Sequence, residues 1–354
     1  MRIAILSFSS EGQLLGRRLR EALEGRGSDC TLRRCPEGGL REWTQNHFLS
    51  NDALIFVGSC GLAVRAIAPF VQSKSSDPAV LVIDETGKFV ISLLSGHLGG
   101  ANELTKWVAE QLSATPVITT ATDRRGLFAV DSWARRNGYF VSNPEKIKEV
   151  SSALLEGKTV TFCSDFPISG KVPEQLRLLQ RDRSEAEREV GEQKPGEIDF
   201  SVSWQRRESE ELRIVVPSLH IGIGARKGIS SEAVEQLVDR CLKELKASPL
   251  AVKAVASIDL KANEEGIFEC CARHAWTFLS FSQEELARVE GDFSASAFVK
   301  EVTGVDNVCE RSAVLAAGQG SRLLLRKQSL DGVTCAIALE AISLSFDTAQ
   351  PPQS

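Results

Sequence analysis

The chain has 354 residues, 42% of them hydrophobic and 25% charged, with a formal net charge of −5. That length accommodates two or three domains with their own cores, and an acidic balance without long lysine or arginine blocks argues against nucleic-acid binding. No run of about 18 apolar residues is present to suggest a membrane span, and the strand-like start Arg2–Phe8 does not read as a signal peptide, so a cytoplasmic location is expected.

The first third alternates short β-rich runs with helical patterns. Strands are predicted at Ile3–Phe8, Ala53–Val57, Val80–Ile83, Phe89–Leu94 and Val117–Thr120, and helices at Gln13–Glu24, Leu62–Val71 and Ala101–Leu112. Such alternation implies an α/β layered fold with a largely parallel sheet, here over an N-terminal domain of residues 1–125. A smaller middle region, 126–211, holds helical patterns at Ser132–Arg136 and Pro144–Leu155 and strands at Thr159–Cys163 and Ser201–Trp204. Its residues 181–198 are rich in Arg, Glu, Gln and Gly and predict an exposed excursion. A C-terminal α/β domain, 212–347, opens with the apolar run Leu212–Gly224, followed by a helix capped at Ser230. Further elements are predicted at Ala251–Ile258, Gln283–Val289, Ser294–Val302, Cys309–Ala317, Ser321–Arg326 and Val333–Leu339, before a frayed tail at 348–354.

Three glycine turns stand out. Gly58-Ser-Cys-Gly61 and Ser95-Gly-His-Leu-Gly-Gly-Ala-Asn102 each follow a predicted strand and open a helix, and Gly222-Ile-Gly-Ala-Arg-Lys-Gly228 repeats the pattern near the C-terminus. A strand–turn–helix junction presents backbone N–H groups and the positive end of a helix dipole, which favours carboxylates and phosphates. In open α/β sheets ligands bind beyond the carboxyl ends of the strands, so the Gly58–Gly61 and Gly96–Gly100 turns are expected on one ligand-facing rim. His97 sits in the second turn, within reach of such a ligand. The nine cysteines form no Cys-x-x-Cys pair and have no zinc-ligand spacing with the four histidines, so reduced structural thiols and no metal site are expected.

The two N-terminal glycine turns, the run Ala121-Thr-Asp123, the segment Gly126–Gly138, the run Leu219–Gly228 and the segment Ala256–Ala262 together resemble the CbiG-type cobalt-precorrin-5A hydrolases of anaerobic cobalamin biosynthesis. The resemblance runs in order along nearly the whole chain. It departs at Ala225, where the family pattern leads one to expect a cysteine, and this weakens any catalytic thiol in that loop. The resemblance implies a cobalt tetrapyrrole substrate with many carboxylates, opening of its ring A δ-lactone by water, and release of acetaldehyde to give cobalt-precorrin-5B. It implies no cofactor, since cobalt is carried by the substrate; other cobalamin-pathway enzymes would be partners.

Such chemistry needs a proton-transfer group and donors for oxyanion charge. His97 is the first candidate base or acid, because an unperturbed imidazole titrates near neutrality; the alternative is a turn histidine bonded to backbone. Glu103 would orient His97 or act as base, or simply stabilise a helix start. Asp123 would activate water or close a turn with Arg124. Substrate carboxylates would be bound by Gly58, Ser59, Gly61, Arg65, Gly96, Gly99, Gly100, Asn102 and Arg124, and by Gly222, Gly224, Arg226, Lys227 and Gly228. A non-catalytic corrinoid carrier is the competing class. A nucleotide-binding domain is the weaker alternative, for no Gly-x-Gly-x-x-Gly follows the first strand.

Overall fold

The structure, a computed structural model, describes residues 1–36, 39–73, 76–120, 126–179, 198–206, 210–261, 264–295, 301 and 303–347. These form two compact units, Met1–Arg136 with Ile147–Lys158, and Asn137–Lys146 with Thr159–Ser354. Asp123 and Arg124 lie outside the described residues. So do residues 181–197 of the expected excursion, 296–300 and 302 of the expected Ser294–Val302 helix, and the expected 348–354 tail.

The first unit begins β1 (Arg2–Ser7), α1 (Ser10–Gly25), β2 (Asp29–Arg34), α2 (Leu40–His47), β3 (Ala53–Val57) and α3 (Cys60–Ile67). It continues β4 (Ala79–Ile83), β5 (Phe89–Leu94), α4 (Ala101–Leu112) and β6 (Thr115–Val117), and the six strands pair in the order β2-β1-β3-β4-β5-β6. Leu54, Ile55, Phe56 and Val57 of the central β3 have no solvent exposure. Both faces of that strand are covered: Leu19 of α1 and Val108 of α4 pack on one, Trp43 of α2, Phe48 directly after it and Ile67 of α3 on the other. Each such side chain contributes about 1.5–3 kcal/mol by leaving water. The sharp entry into α1 is secured by Ser9, whose hydroxyl accepts from the Gly12 N–H at 3.0 Å.

The sheet is parallel except at one seam. β4 and β5 are antiparallel, with Ile83 opposite Val90 and Val80 opposite Leu94. Only Asp84–Lys88 connects them, a tight turn in which Asp84 accepts from the backbone of Thr86 and Phe89. A link of that length joins antiparallel neighbours, whereas a parallel pair needs a crossover of a dozen or more residues. This reversal governs the placement of the glycine turns. Two helices, α5 (Val130–Arg136) and α6 (Ile147–Leu155), complete the unit.

In the second unit, β7 (Phe140–Val141), β8 (Val160–Ser164), β9 (Ile168–Ser169), β10 (Leu176–Leu178), β11 (Phe200–Ser203) and β12 (Leu212–Val215) come first. All but β9 form a sheet of order β10-β8-β11-β12-β7. The expected single run Leu212–Gly224 is two strands in two sheets, because Pro217, which has no N–H to donate, interrupts it. Next come β13 (Leu219–Ala225), α7 (Ser231–Glu244), β14 (Val252–Ile258), α8 (Glu265–His274), β15 (Thr277–Phe281), α9 (Gln283–Ala287), α10 (Cys309–Ala317), β16 (Arg322–Leu330) and β17 (Val333–Leu339). Their sheet has the order β15-β14-β13-β17-β16, parallel from β15 to β13 and antiparallel beyond. Strand β18 (Leu344–Ser345) returns to pair with β9. The Ser230 cap of α7 is present, accepting from the Ala233 N–H at 3.3 Å. Two elements that sequence reading passed over, α8 and β15, complete the parallel edge.

Candidate active site

The Ser95–Gly100 turn follows β5, and because β5 runs backwards it emerges beside the beginning of β4. A Cβ placed on Gly99 would lie 3.4 Å from the Ala79 backbone nitrogen. The Gly58–Gly61 turn lies at the other end of β4, where the Gly58 N–H donates to the Ile83 carbonyl at 2.8 Å. The two turns are therefore separated by the length of β4, about 13 Å at the usual rise per residue, and do not share the rim expected of them.

Within the second turn the backbone is closed on itself. The N–H groups of Gly100, Ala101 and Asn102 donate to the carbonyls of His97, Ser95 and Gly96 at 2.9, 3.1 and 2.9 Å. The first amides of α4 are thus occupied, contrary to the expectation of free donors for a ligand. Ser95 holds a left-handed backbone (φ 57°), and a Cβ on Gly99 would come within 2.4 Å of the Ser95 Cβ. Gly96 is needed for a similar reason, since its Cβ would lie 2.8 Å from Asn102 Oδ1. Asn102 is buried; it accepts from the Ser92 hydroxyl at 2.7 Å and donates to Thr120 Oγ1 at 3.0 Å. Its amide ties β5, the start of α4 and the chain after β6 together.

His97 stands half-buried on this braced turn, and its Nδ1 lies 2.9 Å from Ser132 Oγ on α5. Asp131, buried next door, accepts from the Ser132 backbone N–H at 2.9 Å. Glu103 is not hydrogen-bonded to His97. It pairs instead with Arg135 through one carboxylate oxygen and with Arg136 at 3.3 Å through the other. The Arg135 guanidinium also lies flat against Gly100, where a Cβ would sit 2.3 Å from its Cζ. Glu103 thus anchors α5 to α4.

At the Gly58–Gly61 turn, Gly58 is buried because Phe8 passes over it, 2.6 Å from where a Cβ would be. Ser59 and Gly61 are exposed at the start of α3 and Arg65 in its last turn, and the Ser59 side chain makes no capping bond.

The third turn already has its anion. The N–H groups of Gly228 and Ile229 both donate to Glu264 Oε1, at 2.5 and 3.2 Å, and Lys261 Nζ reaches Glu264 Oε2 at 3.2 Å. Sequence reading expected a cradle for substrate anions there; the carboxylate that the Gly228 and Ile229 amides hold in the structure is that of Glu264. Replacing Glu264 with alanine is expected to lower unfolding free energy by about 1 kcal/mol through the two orphaned amides, read as a shifted urea midpoint. Arg226 Nη2 donates to the Asp331 carbonyl in the β16–β17 hairpin at 3.1 Å, and Lys227 is exposed. Gly222 and Gly224 are packing glycines: their Cβ positions meet Cys309 O at 1.8 Å and Thr334 Oγ1 at 2.6 Å. Ala225 ends β13 opposite Val333, with no thiol nearby in sequence.

At the opposite end of β13, buried His220 lies with Nε2 2.9 Å from Glu340 Oε2, and Lys253 Nζ donates to both Glu340 oxygens at 3.0 and 2.8 Å. Burial pushes the Glu340 carboxyl up, but the His220 and Lys253 hydrogen bonds and charges outweigh it and hold it below the ordinary carboxylate range. A depressed folded-state value gives stability that is complete above the unfolded value of about 4.3 and lost as pH falls through the folded one. Glu340→Gln is therefore expected to be less stable than wild type at pH 7, with the gap closing at pH 3 or so, in parallel urea titrations.

Among the described residues no group of three or more His, Cys, Asp or Glu side chains is placed to hold a metal ion, and no helix is long and apolar enough to cross a membrane.

Family models match three consecutive stretches of the chain: Cobalamin synthesis G N-terminal over residues 42–123, the cobalamin biosynthesis central region over 128–217, and Cobalamin synthesis G C-terminus over 219–338. The chain is 35% identical over 313 residues to the cobalt-precorrin-5A hydrolase of Salmonella typhimurium, covering 86% of each protein. It is 33% identical over 315 residues to the hydrolase of the same name from Priestia megaterium, covering 85% of this chain and 82% of that one. This chain belongs to the CbiG family of cobalt-precorrin-5A hydrolases. Among solved structures, a cobalamin biosynthesis protein G homolog from Sulfolobus solfataricus is 23% identical, with 95% of this chain and 96% of that one covered at a TM-score of 0.41.

Within the CbiG family frame, His97 falls in the stretch matched by the N-terminal model and Ser132 in that matched by the central-region model. Their contact joins residues from two family segments inside one compact unit. Sequence reading noted Gly126–Gly138 as a family signature yet assigned no role to Ser132, Arg135 or Arg136. Only the four-residue spacing that puts Ser132 and Arg136 near one face of a helix hinted at a shared surface.

Proposed function

We propose that this protein hydrolyses the ring A δ-lactone of cobalt-precorrin-5A, releasing acetaldehyde and giving cobalt-precorrin-5B in anaerobic cobalamin biosynthesis. The observation that carries this reading is identity of 33–35% to two cobalt-precorrin-5A hydrolases along more than four-fifths of the chain. The braced turn that presents His97 supports it, with His97 as the candidate proton-transfer group.

Two steps follow chemically. Water adds to the lactone carbonyl as its proton passes to a base, a C–O bond forms, and the ring C–O bond breaks to leave a carboxylate and a hydroxyl. The same base then takes the hydroxyl proton, a carbon–carbon bond breaks, and the two-carbon fragment departs as acetaldehyde while its electron pair stays on the macrocycle. His97 is our candidate for both transfers, because one imidazole can take a proton in each step and return it between them. The motif containing Asp123 and Arg124 makes Asp123 a second proton-transfer candidate and Arg124 a carboxylate-binding residue. Exposed Arg65, with Ser59 and Gly61 beside it, would receive a peripheral carboxylate. Cobalt enters as part of the substrate, and we place the reaction in the cytoplasm, where other cobalamin-pathway enzymes would deliver and remove intermediates.

Anaerobic incubation of the purified protein with cobalt-precorrin-5A, with acetaldehyde trapped as its hydrazone, tests the reading. Stoichiometric acetaldehyde supports it. Tight binding of the tetrapyrrole by well-folded protein without acetaldehyde would replace it with a carrier role.

A further inference from the structure

We infer that Ser132 is the positioning residue for His97, and that the Glu103 ion pairs hold Ser132 in place. This rests on reading His97 as the proton-transfer group. Ser132 Oγ lies 2.9 Å from Nδ1 of His97, a contact across 35 residues of sequence. An imidazole that accepts a proton at Nε2 must carry its own hydrogen on Nδ1, so a fixed acceptor at Nδ1 selects the basic tautomer and sets the ring plane. Ser132 Oγ, which can donate as well as accept, would be that acceptor with its own hydrogen turned away from the ring.

The supports on both sides make this more than a chance contact. On the histidine side, the turn is closed by three backbone hydrogen bonds and by Asn102, which leaves the His97 main chain little freedom. On the serine side, Asp131 binds the Ser132 N–H, while buried Val130, Trp133 and Ala134 seat α5 in the unit's interior. Arg135 and Arg136, one turn further along, both bind Glu103 on α4. The helix that carries Ser132 is thereby pinned to the helix that His97's turn begins. Glu103, expected from sequence to orient His97, to act as base or to stabilise a helix start, orients it in this arrangement through Arg135, Arg136 and Ser132.

The test compares the full-length wild type, His97→Ala, Ser132→Ala and Ser132→Thr in acetaldehyde release from cobalt-precorrin-5A. Imidazole nitrogen NMR accompanies it, since the chain has only four histidines to assign. Ser132→Ala is expected to lower kcat about 10- to 100-fold with KM within about twofold and to displace the His97 ring-nitrogen shifts. Ser132→Thr, which keeps the hydroxyl, is expected to restore most of the rate. If His97→Ala is inactive but Ser132→Ala keeps wild-type kcat and His97 shifts, the positioning role is overturned while the His97 reading stands. If His97→Ala keeps wild-type activity, the His97 reading falls, and the positioning role falls with it.

Discussion

His97→Ala is expected to lower the rate of acetaldehyde release by about 100- to 10,000-fold, the usual contribution of a positioned acid–base group. The fold should survive, because His97 is half-buried and the turn is held by the backbone carbonyls of residues 95–97 and by Asn102 rather than by the imidazole. The measurement is single-turnover acetaldehyde release beside tetrapyrrole binding followed by visible absorbance. Loss of turnover with binding intact assigns His97 to chemistry. Unchanged turnover would move the proton transfer to the Asp123 motif. Asn102→Ala offers the contrast: it removes the Ser92 and Thr120 bonds of a buried amide, so it should damage stability and activity together.

Gly222→Ala is expected to cost about 3 kcal/mol or more, or to prevent the second unit from folding. The added methyl would lie 1.8 Å from the Cys309 carbonyl and 2.7 Å from the Ala313 nitrogen, both main-chain atoms of α10 that cannot rotate away. Moving α10 also disturbs Glu310, which has no solvent exposure and accepts from the Ser294 N–H, the Ser294 hydroxyl and the Lys327 N–H at 2.8, 2.8 and 2.7 Å. Those donors would be stranded in the interior. Gly224→Ala should be markedly milder, since its methyl meets the side-chain oxygen of Thr334, which can change rotamer. Urea unfolding of the two variants distinguishes packing glycines from ligand-binding ones. Equal, small losses of stability together with weakened tetrapyrrole binding would return both residues to the substrate site.

Several elements were legible because their own side chains carry the period. Phe89–Leu94, Ala101–Leu112, Cys309–Ala317 and Val333–Leu339 end where sequence reading ends them, each bounded by a change of apolar spacing or a glycine. Strand β2 was not read, because Asp29, Arg33 and Arg34 on an edge strand leave no apolar alternation to see. Helix α8 escaped for a related reason: its buried face is Gly266, Ile267, Cys270 and Cys271, mostly small side chains with a weak apolar stripe. The direction of β5 had a signal that went unused, since five residues between two strands admit only a hairpin.

By itself, the sequence determined the α/β class, the three glycine turns, the place of His97 on one of them, and membership of a family recognised by ordered motifs. These are local properties, written in residue type and spacing. Which donors remain available to a ligand was decided only by the tertiary structure. The amides after Gly99 close on their own loop, those of Gly228 and Ile229 take Glu264, and Glu103 takes two arginines from α5. An anion-binding junction looks the same in sequence whether its anion is a substrate or a glutamate 36 residues away, because a hydrogen-bond donor is satisfied by whatever acceptor the fold brings within 3 Å or so. The reversal of β5 parted the two N-terminal turns, and the packing of α5 against α4 brought Ser132 to His97.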